Sequence, residues 1–119
     1  MEADSSKTPP LSSAALHILL ALAGGNLHGY GIIQEIARNS DGHYRLGPGT
    51  LYDNLKKLMD AGWVADAPLQ KRKSTKEDDR RFYTLTRKGK DALAAEVDRL
   101  QSVVSKAKLR LQEARPGKA

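Results

Sequence analysis

The chain has 119 residues and no cysteine. Disulfides, thiolate metal sites and thiol redox chemistry are therefore excluded. Aromatic residues are few, with one Trp, one Phe and four Tyr, so a core must be built mainly from Leu, Ile, Val and Ala. A long hydrophobic run is also missing. The longest apolar stretch, residues 14–23, is interrupted by His17 and is shorter than the roughly 20 residues a membrane helix needs. Ala21-Leu22-Ala23 imitates a signal-peptidase site, but the segment ahead of it carries Glu2 and Asp4 beside Lys7 and lacks a basic start. The expectation is a cytoplasmic protein, without membrane contact, in which this run is a buried helix. His17, His28 and His43 are not spaced as a metal set, and no residue pattern requires a cofactor.

Positive charge is present and unevenly placed. The formal net charge is +6. Residues 69–90 hold nine Lys or Arg against three acids, while the rest of the chain is balanced at eleven of each. The excess is thus confined to one segment, a local footprint for an anionic partner such as nucleic acid.

The spacing predicts four helices and a hairpin. Ser12 or Ser13 caps a first helix that runs to Ala23 and ends at Gly24-Gly25-Asn26. Residues 29–39 form a second helix with Ile32, Ile33 and Ile36 inward. Asn39 to Gly42 is a loop, and Tyr44 to Leu46 a short extended piece. Pro48 suits the first position of a third helix, 48–60, because its missing N–H costs nothing there. Ala61-Gly62 closes that helix. Trp63 to Ala67 and Arg81 to Thr86 are extended and pair most simply as a hairpin, with the charged loop 69–80 at its tip. Thr86 caps a final helix that runs to Ala114.

The third helix is the most informative element. At about 100° per residue, Leu51, Leu55 and Leu58 share one face, with Met59 beside them. Asp53, Lys56 and Lys57 point away, with Thr50 and Tyr52 on the flanks. Gly49 keeps the outer surface flat near the helix start. Such a helix can lie in a DNA groove while its back holds a core. An ordinary amphipathic surface helix has the same pattern, so the segments around it decide between the two.

Three helices followed by a hairpin with a basic tip is the order of a winged helix-turn-helix. The third helix would enter the major groove, and the wing would reach phosphates or the minor groove. Lys71, Arg72, Lys73, Lys76, Arg80 and Arg81 supply the wing's charge. Such contacts contribute affinity without sequence information.

Three motifs carry a resemblance. Leu27-His28-Gly29-Tyr30-Gly31-Ile32 opens the second helix, Pro48-Gly49-Thr50-Leu51-Tyr52 opens the third, and Arg81-Phe82-Tyr83-Thr84-Leu85-Thr86 with Gly89 forms the junction of wing strand and final helix. In this order and spacing the sequence resembles the PadR-like family of bacterial transcriptional regulators, in its short form with a single C-terminal helix. The resemblance implies a mainly α fold with a small β-hairpin wing, and a dimer that represses transcription at an inverted-repeat operator on double-stranded DNA. It implies a phosphate contact for Tyr30 and backbone and groove contacts for Thr50 and Tyr52. Asp53, Lys56 and Lys57 would face bases or phosphates, as would wing residues Lys71, Arg72, Lys73, Arg80 and Arg81. A small-molecule effector near the dimer interface is also implied, of a kind the sequence does not name. None of the six aromatics lies in the final helix, so paired final helices cannot sandwich a ligand between aromatic rings. Gly47 stands where the family often has Ser, and the wing loop is longer and more charged than many.

The final helix carries a second pattern. Leu93, Val97, Leu100, Val104, Ala107 and Leu111 repeat at alternating intervals of four and three, a heptad seam. The expected partner is a second copy of the chain, and the other way to cover the seam is to fold the helix back on its own domain. The resulting organisation is an arm at 1–10, a DNA-binding domain at 11–86, a dimerisation helix at 87–115 and a disordered tail at 116–119.

Two other classes of function compete. A winged helix can serve as a protein-interaction module without sequence-specific DNA binding. An enzyme is disfavoured. Asp78 and Asp79 lie among Lys and Arg in a loop, Ser, His and acids form no nucleophile arrangement, and Gly47-Pro48-Gly49 lacks the Lys-Ser/Thr of a phosphate-binding loop.

Overall fold

Capping residues set the helices. The Ser12 hydroxyl accepts the Ala15 N–H at 3.1 Å and starts α1 (Ser13–Ala23). After β1 (Leu27–His28), the His28 ring takes the same role for α2 (Gly29–Asn39), with Nδ1 accepting the Gly31 N–H at 3.0 Å. Helix α3 (Pro48–Asp60) begins after Gly47, which offers no side-chain cap. It ends in a Schellman arrangement, in which Trp63 N–H bonds the Leu58 carbonyl and Gly62 N–H the Met59 carbonyl, each at 3.0 Å. Gly62 holds φ +83°, a conformation in which a side chain would be strained. Strands β2 (Val64–Asp66) and β3 (Phe82–Leu85) follow, and then α4 (Arg87–Glu113). Thr86 caps α4 by accepting the Gly89 N–H at 2.9 Å, and its hydroxyl donates to the Gly62 carbonyl at 2.7 Å.

This computed structural model describes residues 10–68 and 81–113. The N-terminal arm, the charged loop at 69–80 and the tail from 114 onward, including Ala114, lie outside the described residues. The fold is mainly helical with a small antiparallel sheet, as expected, but the sheet has three strands in the order β1-β3-β2. Leu27 pairs with Tyr83 and His28 with Phe82, while Val64, Ala65 and Asp66 pair with Leu85, Thr84 and Tyr83. Strand β1 was not expected from the sequence. The piece at Tyr44 to Leu46 joins no sheet. Its backbone is held by Ser40, whose hydroxyl accepts the Tyr44 N–H at 2.9 Å, and Leu46 turns inward and is buried.

The core is aliphatic. Ile18, Leu19, Ile32, Ile36 and Leu51 are fully buried, and Leu55, Leu58, Val64, Tyr83 and Leu85 belong to the same cluster, with Ala15, Ala21, Leu22 and Leu46. Ile33 is partly buried, less than its spacing suggested. Burying one such side chain contributes about 1.5–3 kcal/mol, so these positions hold α1, α2, α3 and the sheet together. Trp63 and Leu93 pack against the edge of this cluster. His17 stacks on Tyr44, with ring centroids 4.3 Å apart.

The root of α4 is clamped to the sheet. A side chain on Gly89 would overlap the Trp63 carbonyl and the Leu85 methyl, so only glycine permits this approach. Seven residues along, Glu96 is buried, an unusual place for an acid. Arg99 donates to both carboxylate oxygens, at 3.1 and 2.6 Å. That pairing comes first among the causes that hold the Glu96 carboxyl below its ordinary value, and the Leu11 backbone N–H adds to it against the cost of burial. Glu96 thereby ties the segment before α1 to α4.

Candidate nucleic-acid interface

Helix α3 turns Leu51, Leu55 and Leu58 into the core and leaves Thr50, Tyr52, Asp53, Lys56 and Lys57 exposed on its outer side. A side chain at Gly49 would meet nothing within 4 Å, so the surface at the helix start is open. Asn54 does not face outward freely, because its amide donates to the Thr50 carbonyl at 2.8 Å. Lys56 makes one loose contact with Asp60, at 3.8 Å between exposed groups. A pair of this kind is worth about 0–1 kcal/mol and leaves the ammonium free for other partners.

Two tyrosines project from the starts of α2 and α3. Tyr30 is 62% exposed and Tyr52 50% exposed. The Tyr52 ring lies over Gly29, and its hydroxyl fills the space a side chain would need there. Tyr52 is therefore both a surface residue and a spacer between the two helices. The glycine of the Leu27-His28-Gly29 motif thus has a packing cause.

Of the wing residues named from the sequence, Arg81 is described, and Lys71, Arg72, Lys73, Lys76 and Arg80 lie outside the described residues. Arg81 is engaged across the sheet. Its Nε donates to Asp66 Oδ1 at 2.5 Å and its Nη2 to Oδ2 at 3.2 Å. Its guanidinium also sits 5.2 Å from the centre of the Tyr83 ring. The Arg81 hydrogen bond is the main reason the Asp66 carboxyl titrates below its ordinary value. Burial pushes the Tyr83 phenol up. Between α3 and the wing runs a groove of about 420 Å³, lined by Tyr52, Leu55, Lys56, Met59, Asp60, Arg81 and Tyr83. Its lining combines two cations, Lys56 and Arg81, one acid, Asp60, and two tyrosines with the apolar Leu55 and Met59, and the cations can meet a phosphate. Asp66 and the capping role of His28 were missed by sequence reading. Asp66 sits 15 residues from Arg81, and no local pattern links the two.

The heptad seam divides along α4. Leu93 is partly buried against the domain's own core, and Leu100 is partly buried. Val97, Val104, Ala107 and Leu111 are exposed, and from Gln101 to Glu113 every residue is exposed. Val103 and Leu109 add apolar surface outside the seam. At the root of the helix, a second groove of about 350 Å³ is lined by Ala23, Leu85, Lys90, Leu93, Ala94, Val97 and Asp98. Among the described residues, no group of His, Asp and Glu is placed to hold a metal ion, and no helix is long and apolar enough to cross a membrane.

Comparison with known proteins agrees with this geometry. The model of the "Transcriptional regulator PadR-like family" matches residues 18–95, which include α2, α3, the sheet and the root of α4. Among solved structures, Bacillus subtilis PadR in complex with operator DNA is 27% identical with a TM-score of 0.59, over 76% of this chain and 49% of that one. RosR of H. salinarum is 30% identical with a TM-score of 0.57, over 81% of this chain and 76% of its own. A PadR family transcription regulator from Clostridium difficile shares the fold, with a TM-score of 0.68 at 20% identity, over 84% and 99% of the two chains. No curated protein matches the chain in sequence.

Proposed function

The chain belongs to the PadR-like family of transcriptional regulators, and from that premise we propose that it is a dimeric, sequence-specific DNA-binding repressor. The observation that carries the reading is the exposed outer face of α3. Thr50, Tyr52, Asp53, Lys56 and Lys57 stand clear of the core on a helix whose other side is locked by three buried leucines. Tyr30 is exposed at the start of α2, next to the Gly29 that Tyr52 covers, and the net charge of +6 lies wholly in the segment that contains the wing. Arg81, with Lys71, Arg72, Lys73 and Arg80, would supply phosphate contacts, and the helix would select sequence.

The dimer reading rests on α4. Its outer half carries Val104, Ala107 and Leu111 exposed along the heptad seam, an apolar stripe that is unfavourable in water unless covered. Pairing with a second copy would set two α3 helices on one face of a duplex and impose two-fold symmetry on the operator. A small-molecule effector fits best in the groove at the root of α4. Its walls hold no aromatic ring, so an aliphatic or compact ligand suits it better than a stacked planar one.

Selection of bound duplexes from a random pool tests this reading. The expected result is a pair of inverted half-sites, with binding that falls by about 10³–10⁵ between 50 and 200 mM salt for 6–10 phosphate contacts. Absence of duplex binding at low salt would refute it.

A further inference from the structure

An acid on a DNA-facing surface needs a reason, because it repels phosphate. Asp66 is 56% exposed and its partner Arg81 59% exposed. A pair this open to water contributes little to fold stability. Its geometry is nevertheless specific. Two parallel N–H donors of Arg81 meet the two oxygens of Asp66. Such a fork fixes the plane of a guanidinium in a way that one charge contact does not. The register explains why the two meet. Asp66 pairs with Tyr83 across β2 and β3, and Arg81 stands two residues before Tyr83, a spacing that puts both on one face of the sheet. Tyr83 then supplies a ring face beneath the guanidinium, at a distance where the attraction of a cation to a ring is favourable.

The fork uses Nε and one hydrogen of Nη2, and guanidinium has five donors. The other three point away from Asp66, and Arg81 lines the groove between α3 and the wing, opposite Tyr52 and Lys56. The other cation of that groove, Lys56, has only its loose contact with Asp60. One of the two cations is therefore prepositioned and the other is free to move.

We propose that Asp66 is a positioning residue for DNA binding: it fixes the Arg81 guanidinium against Tyr83 so that its remaining donors take a backbone phosphate in the groove between α3 and the wing. The proposal rests on the DNA-binding reading above. It concerns a contact with backbone and not with bases, so a duplex of any sequence reports it.

The test compares the wild-type chain with D66N, D66E, R81K and the D66N/R81K double variant. Binding of a fluorescein-labelled random-sequence duplex is followed by anisotropy across a low-salt series. If Asp66 only repels DNA, D66N binds more tightly. Positioning gives the opposite sign. D66N weakens binding about three- to tenfold, its salt slope falls by about one phosphate contact, and D66E restores part of the loss. R81K, which keeps the charge but not the fork, weakens binding by a similar factor, and adding it to D66N costs nothing more. Thermal unfolding stays unchanged in all four variants. Equal or tighter binding by D66N, or losses that simply add in the double variant, would overturn the proposal while leaving the DNA-binding reading intact. Failure of the wild-type chain to bind the duplex would overturn both.

Discussion

The hydroxyl of Tyr52 occupies the place where a side chain on Gly29 would begin. The two residues join the start of α3 to the start of α2, next to the exposed ring of Tyr30. Gly29→Ala must therefore expel the Tyr52 ring. The ring is the outer end of a half-exposed side chain, so the fold can yield by rotating it outward. The expected outcome is a stability change within about 1 kcal/mol, measured by urea unfolding, with a clear loss of duplex affinity. Gly89→Ala is the contrast. There the obstacle is the backbone carbonyl of Trp63, which cannot swing away, and overpacking of this kind costs about 1–3 kcal/mol.

Lys56→Ala should leave the melting temperature almost unchanged, since its contact with Asp60 is long and exposed. Duplex binding should weaken, and if Lys56 meets a phosphate, the slope of log affinity against log salt should fall by about one. A change that depends on duplex sequence would instead assign Lys56 to a base.

Glu96 predicts an acid-sensitive tie. Its carboxyl is held below the ordinary glutamate value, first by Arg99 and then by the Leu11 N–H. A group whose folded value is depressed stabilises the fold above its unfolded value and loses that contribution as pH falls through the folded one. Thermal stability should therefore drop below about pH 4, and Glu96→Gln should flatten this acid limb. An unchanged acid limb in the variant would show that other carboxylates govern it.

Replacing both Leu100 and Val104 with Asp should give a monomer in sedimentation velocity if the outer half of α4 pairs with a second copy. Val104 is 49% exposed, so its replacement tests the interface with little disturbance of the core. Val97→Asp makes the same test closer to the domain. A dimer that survives these changes would move the interface elsewhere.

Local signals were legible in the sequence because their cause is local. Ser12, Pro48, Ala61-Gly62 and Thr86 mark helix ends through bonds to residues a few positions away, and Leu51, Leu55 and Leu58 mark a face through helical repeat. The unforeseen features are made by tertiary contact. Strand β1 has two residues, too few for alternation to register, and exists because β3 offers it an edge. His28 caps α2 although its ring is not among the usual capping residues. Glu96 lies on the flank of a seam read as apolar, and only the proximity of Leu11 and Arg99 makes its burial tolerable. Asp66 and Arg81 flank a segment whose charge dominated the sequence reading, and their pairing follows from the strand register alone.

The clamp at Gly89 has a mechanical consequence. Helix α4 has 27 residues and so extends about 40 Å, yet it is held only along its first part, from Gly89 against Trp63 through Leu93 on the core to the buried Glu96. Beyond Leu100 every residue of the helix is exposed, and this part projects as a lever. From Glu96 the far tip is about 25 Å away, so a tilt of about 8° there carries it about 3.5 Å, on the order of one base-pair step along a duplex. In the proposed dimer, small displacements beneath Trp63, or in the groove where α1 meets α4, would be converted into changes in the distance between the two α3 helices.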